Sequence, residues 1–178
     1  MVLRRVKRTY LELPSRAHFR PPSRPAPPGA RVELIVPCPT ATWRALYRAI
    51  GERWHWHDHV ARPEDELAAH LLDPRVVELG LRVPDVAPPE SAGYAGWAEL
   101  IARAPDVVEI QYFGLVPQAI GRGLGGFLLT RAVEEAWAMG AERIVLNTCT
   151  LDAPQALPNY LARGFVAVGE EWYEGGTV

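Results

Sequence analysis

The hydrophobic positions of this chain change period from one block to the next. In TATWRALYRAI (40–50), Trp43, Leu46, Tyr47 and Ile50 recur at helical spacing, with Thr40 as a capping residue and Gly51 as the terminator. RPEDELAAHLLD predicts a second helix: Pro63 suits its first turn, the acids sit early, and Pro74 stops it. RVELIVPC (31–38), VVELGLRVP (76–84), AGYAGWAELIA (92–102) and VVEIQYFGLVP (107–117) read as strands. The turns joining the last three are too short for a crossover, so these strands form an antiparallel meander.

The final third has a different order. GLGGFLLTRAVEEAWAMGA is helical from Gly123, with Leu124, Phe127, Leu128, Ala132 and Ala136 on one face and Gly140 at its end. ERIVLNTCT (142–150) is a strand, and strand 107–117, the helix and this strand make a β-α-β unit whose two strands are parallel neighbours. Asp152 and Pro154 open a short helix through Arg163, Gly164 ends it, and FVAVGEEWYE is a last strand. Pro158 falls inside the short helix and leaves its start, and the aim of Asn159 and Tyr160, open. At the other end, RVKRTYLEL (5–13) reads as an edge strand. PSRAHFRPPSRPAPPG (14–29) is too rich in proline for a helix or a central strand and reads as an extended spacer, laid over the surface or left loose. The chain thus divides into an N-terminal edge strand with its Pro-rich extension (1–30) and a main domain (31–178).

Composition narrows the class. The chain has 178 residues, 48% of them hydrophobic, which suits one ordinary globular domain with a real core. A net charge of -2 gives no case for nucleic acid or an anionic membrane as partner. No apolar run approaches the ~20 residues of a membrane span, and the N-terminus lacks the apolar core of a secretory signal. Cys38 and Cys149 make no disulfide framework, so a reduced, cytoplasmic protein is expected. Cys149 has no evident activating partner and reads as a small buried residue rather than a nucleophile.

The densest signal is GLVPQAIGRGLGGFLL, with four glycines between Gly121 and Gly126 at a strand-to-helix junction. The first N–H groups of a helix have no intrahelical partner and carry partial positive charge, and glycine lets a ligand reach them, so this is an anion site suited to phosphate. A Walker loop needs Gly-Lys-Ser/Thr where Gly125-Gly126-Phe127 stands. Gly121, Gly123 and Gly126 match the dinucleotide fingerprint, but that belongs on the first strand of a parallel sheet, with an acid about 20 residues on. The third ligand is the pyrophosphate of coenzyme A.

On these residues the chain resembles the GNAT superfamily of N-acetyltransferases. LVPQAIGRGLGGFLL is similar to its acetyl-CoA signature, and YLARGF (160–165) to its second, a tyrosine–x–x–x–G–F that closes the short helix. One helix and one strand separate the two. Ile120 departs from the pattern, standing where Arg or Gln is usual. The resemblance implies a mixed α/β (α+β) fold: a mostly antiparallel central sheet with helices on both faces, splayed between the parallel strands 107–117 and 142–150. It implies pantetheine in the splay against Phe113, Leu115 and Val116. The pyrophosphate would lie on Gly121, Arg122, Gly123, Leu124, Gly125 and Gly126.

Acetyl transfer to an amine needs a base, a donor for the thioester oxygen and a proton for the thiolate. Tyr160 matches the family tyrosine that often protonates the thiolate, and a backbone N–H near Phe113 is the family's oxyanion donor. Glu109 is the candidate base, on the strand leading into the loop, where it would share a face with Gln111, Phe113 and Leu115. Glu99, on the neighbouring strand, is the reserve. For the acceptor, the family layout puts RWHWHDHV (53–60) over the cleft, so Trp54, His55, Trp56, His57 and Asp58 are candidate substrate contacts. His55, His57 and His59 share a face only in an extended segment, with Asp58 then turned away, so no metal is expected there. The expected function is transfer of acetyl from acetyl-CoA to a primary amine, of a small molecule or a peptide, by direct attack in a ternary complex. The alternatives are a non-catalytic acyl-CoA sensor and a dinucleotide-binding oxidoreductase. A second subunit, or the N-terminal strand, would complete the sheet beyond its last strand.

Overall fold

The computed structural model describes residues 3–57 and 59–177. Seven strands form one sheet: β1 (Leu3–Leu13), β2 (Arg31–Leu34), β3 (Val76–Arg82), β4 (Gly96–Ala104), β5 (Val107–Leu115), β6 (Arg143–Cys149) and β7 (Val166–Thr177), in the order β2-β3-β4-β5-β6-β1-β7. Every pair is antiparallel except β5–β6. The helices are α1 (Thr40–Gly51), α2 (Glu64–Leu71), α3 (Leu124–Ala138) and α4 (Ala156–Ala162). Among the described residues, no helix is long and apolar enough to cross a membrane.

Two buried clusters hold the layers together. One joins Leu129, Ala132, Val133 and Ala136 of α3 and Tyr160 of α4 to Leu11, Leu13, Leu100, Ile110, Ile144, Leu146 and Phe165. The other joins Trp43, Leu46, Tyr47 and Ile50 of α1 and Leu67 of α2 to Trp97, Val116 and Leu128. Burying a side chain of this size is worth roughly 1.5–3 kcal/mol, so the helical periods at 40–50 and 124–136 are set by these contacts.

The meander and the β-α-β unit stand as predicted, but four local expectations change. First, the N-terminal strand is interior: β1 lies between β6 and β7 and pairs with both. Its alternation (Leu11 and Leu13 buried, Tyr10 exposed) reports one covered face, which edge and interior strands share. Second, the Pro-rich segment is tied down rather than loose. The Arg20 N–H donates to the Arg163 carbonyl at 3.0 Å, and Phe19 packs edge-on against Trp137 at 5.2 Å. The His18 carbonyl lies where a Cβ on Gly164 would stand. Third, Gly51 is the last residue of α1 but not a left-handed terminator. It is helical at φ -85°, and a further 3-10 turn runs on through Glu52–Trp54. It is glycine because the Trp56 indole occupies the place of its Cβ. Fourth, Thr40 is inside α1 and does not cap it; its hydroxyl donates to Glu64 of α2. Pro158 is accommodated in the first turn of α4, where its missing N–H costs nothing.

Two irregularities of β5 create the site. Its parallel pairing with β6 is confined to Val107↔Arg143, Val108↔Ile144 and Glu109↔Val145, and beyond these the strands part. Its register with β4 slips between Glu99↔Tyr112 and Leu100↔Ile110, which leaves Gln111 as an extra residue, a β-bulge. The bulge breaks the alternation expected for 109–115. Tyr112 and Gly114 turn toward α1, while Phe113 packs on Tyr160 and Leu115 reaches Gly96 and Gly125 on the α3 side.

Candidate active site

Where β5 and β6 part, a cleft of ≈ 650 Å³ runs through the sheet. At one end the chain leaves β5, makes a tight turn and enters α3. Gly121 (φ +80°) and Gly123 (φ +76°) are left-handed, a conformation that glycine adopts without strain. A Cβ at either would meet nothing within 4 Å, so the glycines serve the backbone path and an open approach, not close packing. Gly123 is the N-cap of α3 and no side chain caps it. The N–H groups of residues 121–123 have no partner among the described residues, and the opening N–H groups of α3 lack intrahelical ones. The result is a row of unpaired donors at a helix N-terminus, opening on the cleft. Gly121, Gly123, Leu124, Gly125 and Gly126 line it, as does Ile120; the exposed Arg122 does not.

The middle of the cleft is walled by Phe113 and Leu115 of β5, by Asn159 and Tyr160 of α4 and by Gln155 just before that helix. Val116, expected here, is fully buried with its N–H given to the Ala95 carbonyl at 3.0 Å, so it is not open to a ligand. Burial, and then the nearby Asp152 carboxylate, push the Tyr160 phenol well above its ordinary pKa and keep it protonated. Asp152 itself closes the turn after β6, accepting from the Thr148 hydroxyl at 2.6 Å and the Cys149 N–H at 2.8 Å.

The far end is aromatic. Tyr47, Trp56 and Tyr112 form a mutual cluster with ring centroids 5.4–5.7 Å apart, and His59 stands edge-on to Tyr47 and Tyr112 at 6.3 Å. Trp54, His55, Trp56 and His59 line the cleft; His57 does not, and Asp58 lies outside the described residues. Segment 52–57 is not extended, with His55 left-handed at φ 62°. Arg8 of β1 and Tyr173 of β7 also line the cleft, on the Cys149 side. The Arg8 guanidinium sits 4.7 Å over the Tyr173 ring and donates to Glu171 at 3.0 Å.

Glu109 does not line the cleft. It stands where β5 and β6 are still paired, and its carboxylate accepts from Arg103 at 2.5 Å. Arg103 also donates to Gln111 at 2.8 Å. The alternation argument for Glu109 fails because the bulge intervenes. Glu99 is fully buried beneath α1 and α2. Its Oε2 accepts from the Trp43 indole at 2.8 Å, while the neighbouring Glu78 Oε2 accepts from the Trp97 indole at 2.6 Å. Trp97 stacks on Tyr112 at 5.2 Å, so these two carboxyls seat the aromatic wall from behind. Burial and the charge of Glu99 push Glu78 well above the usual carboxyl range. Burial alone would raise Glu99 too, but His70, Glu78 and Trp43 hold it below that range.

The cleft opens where a mixed sheet parts beside a helix N-terminus, and comparison with known proteins gives the family. The Acetyltransferase (GNAT) family matches residues 33–165, and the chain belongs to that family. Among curated proteins, none matches. Among solved structures, the chain is similar to a GCN5-related N-acetyltransferase from Sphaerobacter thermophilus (TM-score 0.63, 19% identity, 97% of this chain and 53% of that one). It is similar to another from Kribbella flavida (0.59, 18%, 90% and 54%) and to a functionally unknown conserved protein from Staphylococcus epidermidis (0.58, 14%, 96% and 61%). The chain thus spans a little over half the length of these structures, and at such identity they speak for the fold.

Proposed function

We propose that this chain binds acetyl-CoA and transfers its acetyl group to a primary amine by direct attack in a ternary complex. The observation that carries the reading is the row of unpaired N–H groups at residues 121–126, continuous with a gap in the sheet that ends beside Tyr160. The pyrophosphate rests on those N–H groups. Pantetheine lies in the gap along β5, whose pairing with β6 ends at Glu109↔Val145. The thioester then stands between Phe113 and Tyr160.

The acceptor enters from the aromatic end, its amine over Tyr112 and its body against Tyr47, Trp54 and Trp56. The amine nitrogen forms a bond to the thioester carbon, a backbone N–H of β5 near Phe113 holds the oxyanion, and the C–S bond then breaks. Tyr160 gives its proton to the departing thiolate. The proton lost by the amine passes to His59, the histidine beside Tyr112 in the cleft, or to water beside it. Glu109, held by Arg103 outside the cleft, has no part in this path.

The test is titration with acetyl-CoA followed by an amine screen monitored by thiol release. Binding with turnover supports the reading. Binding without turnover on any amine supports a non-catalytic acyl-CoA domain instead, and preference for NAD overturns both.

A further inference from the structure

A second cavity of ≈ 560 Å³ lies on the α2 side of Tyr112, lined in part by His59, Arg62, His70, Glu99, Gln111 and Tyr112. Behind it three ligand-type side chains from three elements converge: His70 of α2, Glu78 of β3 and Glu99 of β4, each with a ligand atom within 4.8 Å of the others. Glu78 and Glu99 are directly opposed in the antiparallel register and are 3% and 0% exposed. Their outer oxygens are taken by the two indoles, as described above. Their inner oxygens, Glu78 Oε1 and Glu99 Oε1, have no hydrogen-bond partner, and neither does His70 Nε2. His70 Nε2 comes within 3.1 Å of Glu99 Oε1, yet the two are not aligned to bond.

Three buried atoms without an aligned hydrogen bond, gathered at one point, are costly unless something sits among them. Two carboxylates and a neutral imidazole balance a charge of two. One nitrogen and two oxygens suit zinc or manganese, and the two indole N–H groups are the outer supports such ligands ordinarily have. We propose that His70, Glu78 and Glu99 form a binding site for one small divalent transition-metal cation, entered from the α2-side cavity. Its role is to tie α2 to β3 and β4 behind the aromatic wall. It lies apart from the acyl-transfer path, and no chemical step passes through it.

The experiment is calorimetric titration of the chelator-treated chain with Zn²⁺ and with Mn²⁺, and with Co²⁺ followed by visible absorption. Thermal melting is run on the same samples. The expected result is one equivalent bound, a raised melting temperature and, for Co²⁺, an absorption band of a low-symmetry site. His70→Ala, which removes a partly exposed side chain of α2, is expected to keep the fold and weaken binding at least tenfold. Glu78→Gln is expected to do the same if it folds. Wild-type chain that binds none of the three metals, and melts alike with and without chelator, would overturn the proposal and leave a shared proton between the carboxyls. Binding that persists undiminished in His70→Ala would also overturn it, placing the metal on other residues such as the histidines at 55–59.

Discussion

The two ends of the cleft are built from different materials. The α3 end is backbone: glycines with positive φ and open space where a Cβ would be, presenting N–H groups that belong to no particular side chain. The other end is side chains, Tyr47 of α1, Trp56, His59 and Tyr112 of β5. A backbone site depends on chain path and tolerates side-chain change, which is why Ile120 can stand where the family usually has Arg or Gln. A side-chain site depends on who is brought together, and its identity lies in packing.

The contrast can be broken by substitution. Gly123→Val puts a β-branched residue at φ +76° and should move the turn that aims the donors. Acetyl-CoA affinity should fall by about 100-fold, roughly 2.7 kcal/mol, measured by calorimetry. On the proposed path Tyr160→Phe removes the thiolate's proton source, and kcat should drop by about 100-fold with acetyl-CoA affinity unchanged. Trp56→Ala opens the aromatic wall and should raise the acceptor KM about tenfold while sparing the donor end, unless the indole's contact with Gly51 also holds α1 in place. Glu109→Gln should leave kcat within about threefold of wild type, because the carboxylate is engaged by Arg103 and faces no reacting atom. A large loss there would restore Glu109 as the base and displace His59. The smallest effect concerns thiols. Burial, with the charges of Glu78 and Glu99, pushes Cys38 up to about 12, so at pH 8 it stays a neutral thiol. Only Cys149, which lines the cleft, should react with a thiol reagent, and acetyl-CoA should slow it. Equal reaction of both cysteines would contradict the burial of Cys38.

What the sequence made legible follows the same division. The glycine run declares its backbone path locally, since only glycine takes φ near +80° without strain, and YLARGF declares the α4 end in the same way. Strand and helix periods report one covered face each, and that was enough for the β-α-β unit and the parallel pair. The β-bulge at Gln111 has no local signature, and it is the bulge that turns Tyr112 into the aromatic cluster and leaves Glu109 aside. Tyr47, Tyr112, Arg8 and Tyr173 line the cleft without any local signal in the sequence, because their meeting depends on sheet order. That order puts β1 between β6 and β7, which no periodicity could reveal. Trp54, His55 and Trp56 were legible as an unusual aromatic stretch, and they line the cleft. The convergence of His70, Glu78 and Glu99 likewise has no motif, being two opposed strand positions and one helix position.

The most direct test of the central claim is calorimetric titration of acetyl-CoA into the wild-type chain and into Gly123→Val, with melting curves to show that both are folded. The backbone cradle predicts micromolar binding to the wild type and loss of about two orders of magnitude in the variant at similar melting temperature. Equal affinity in the two, or no binding to the wild type at millimolar ligand, would contradict it.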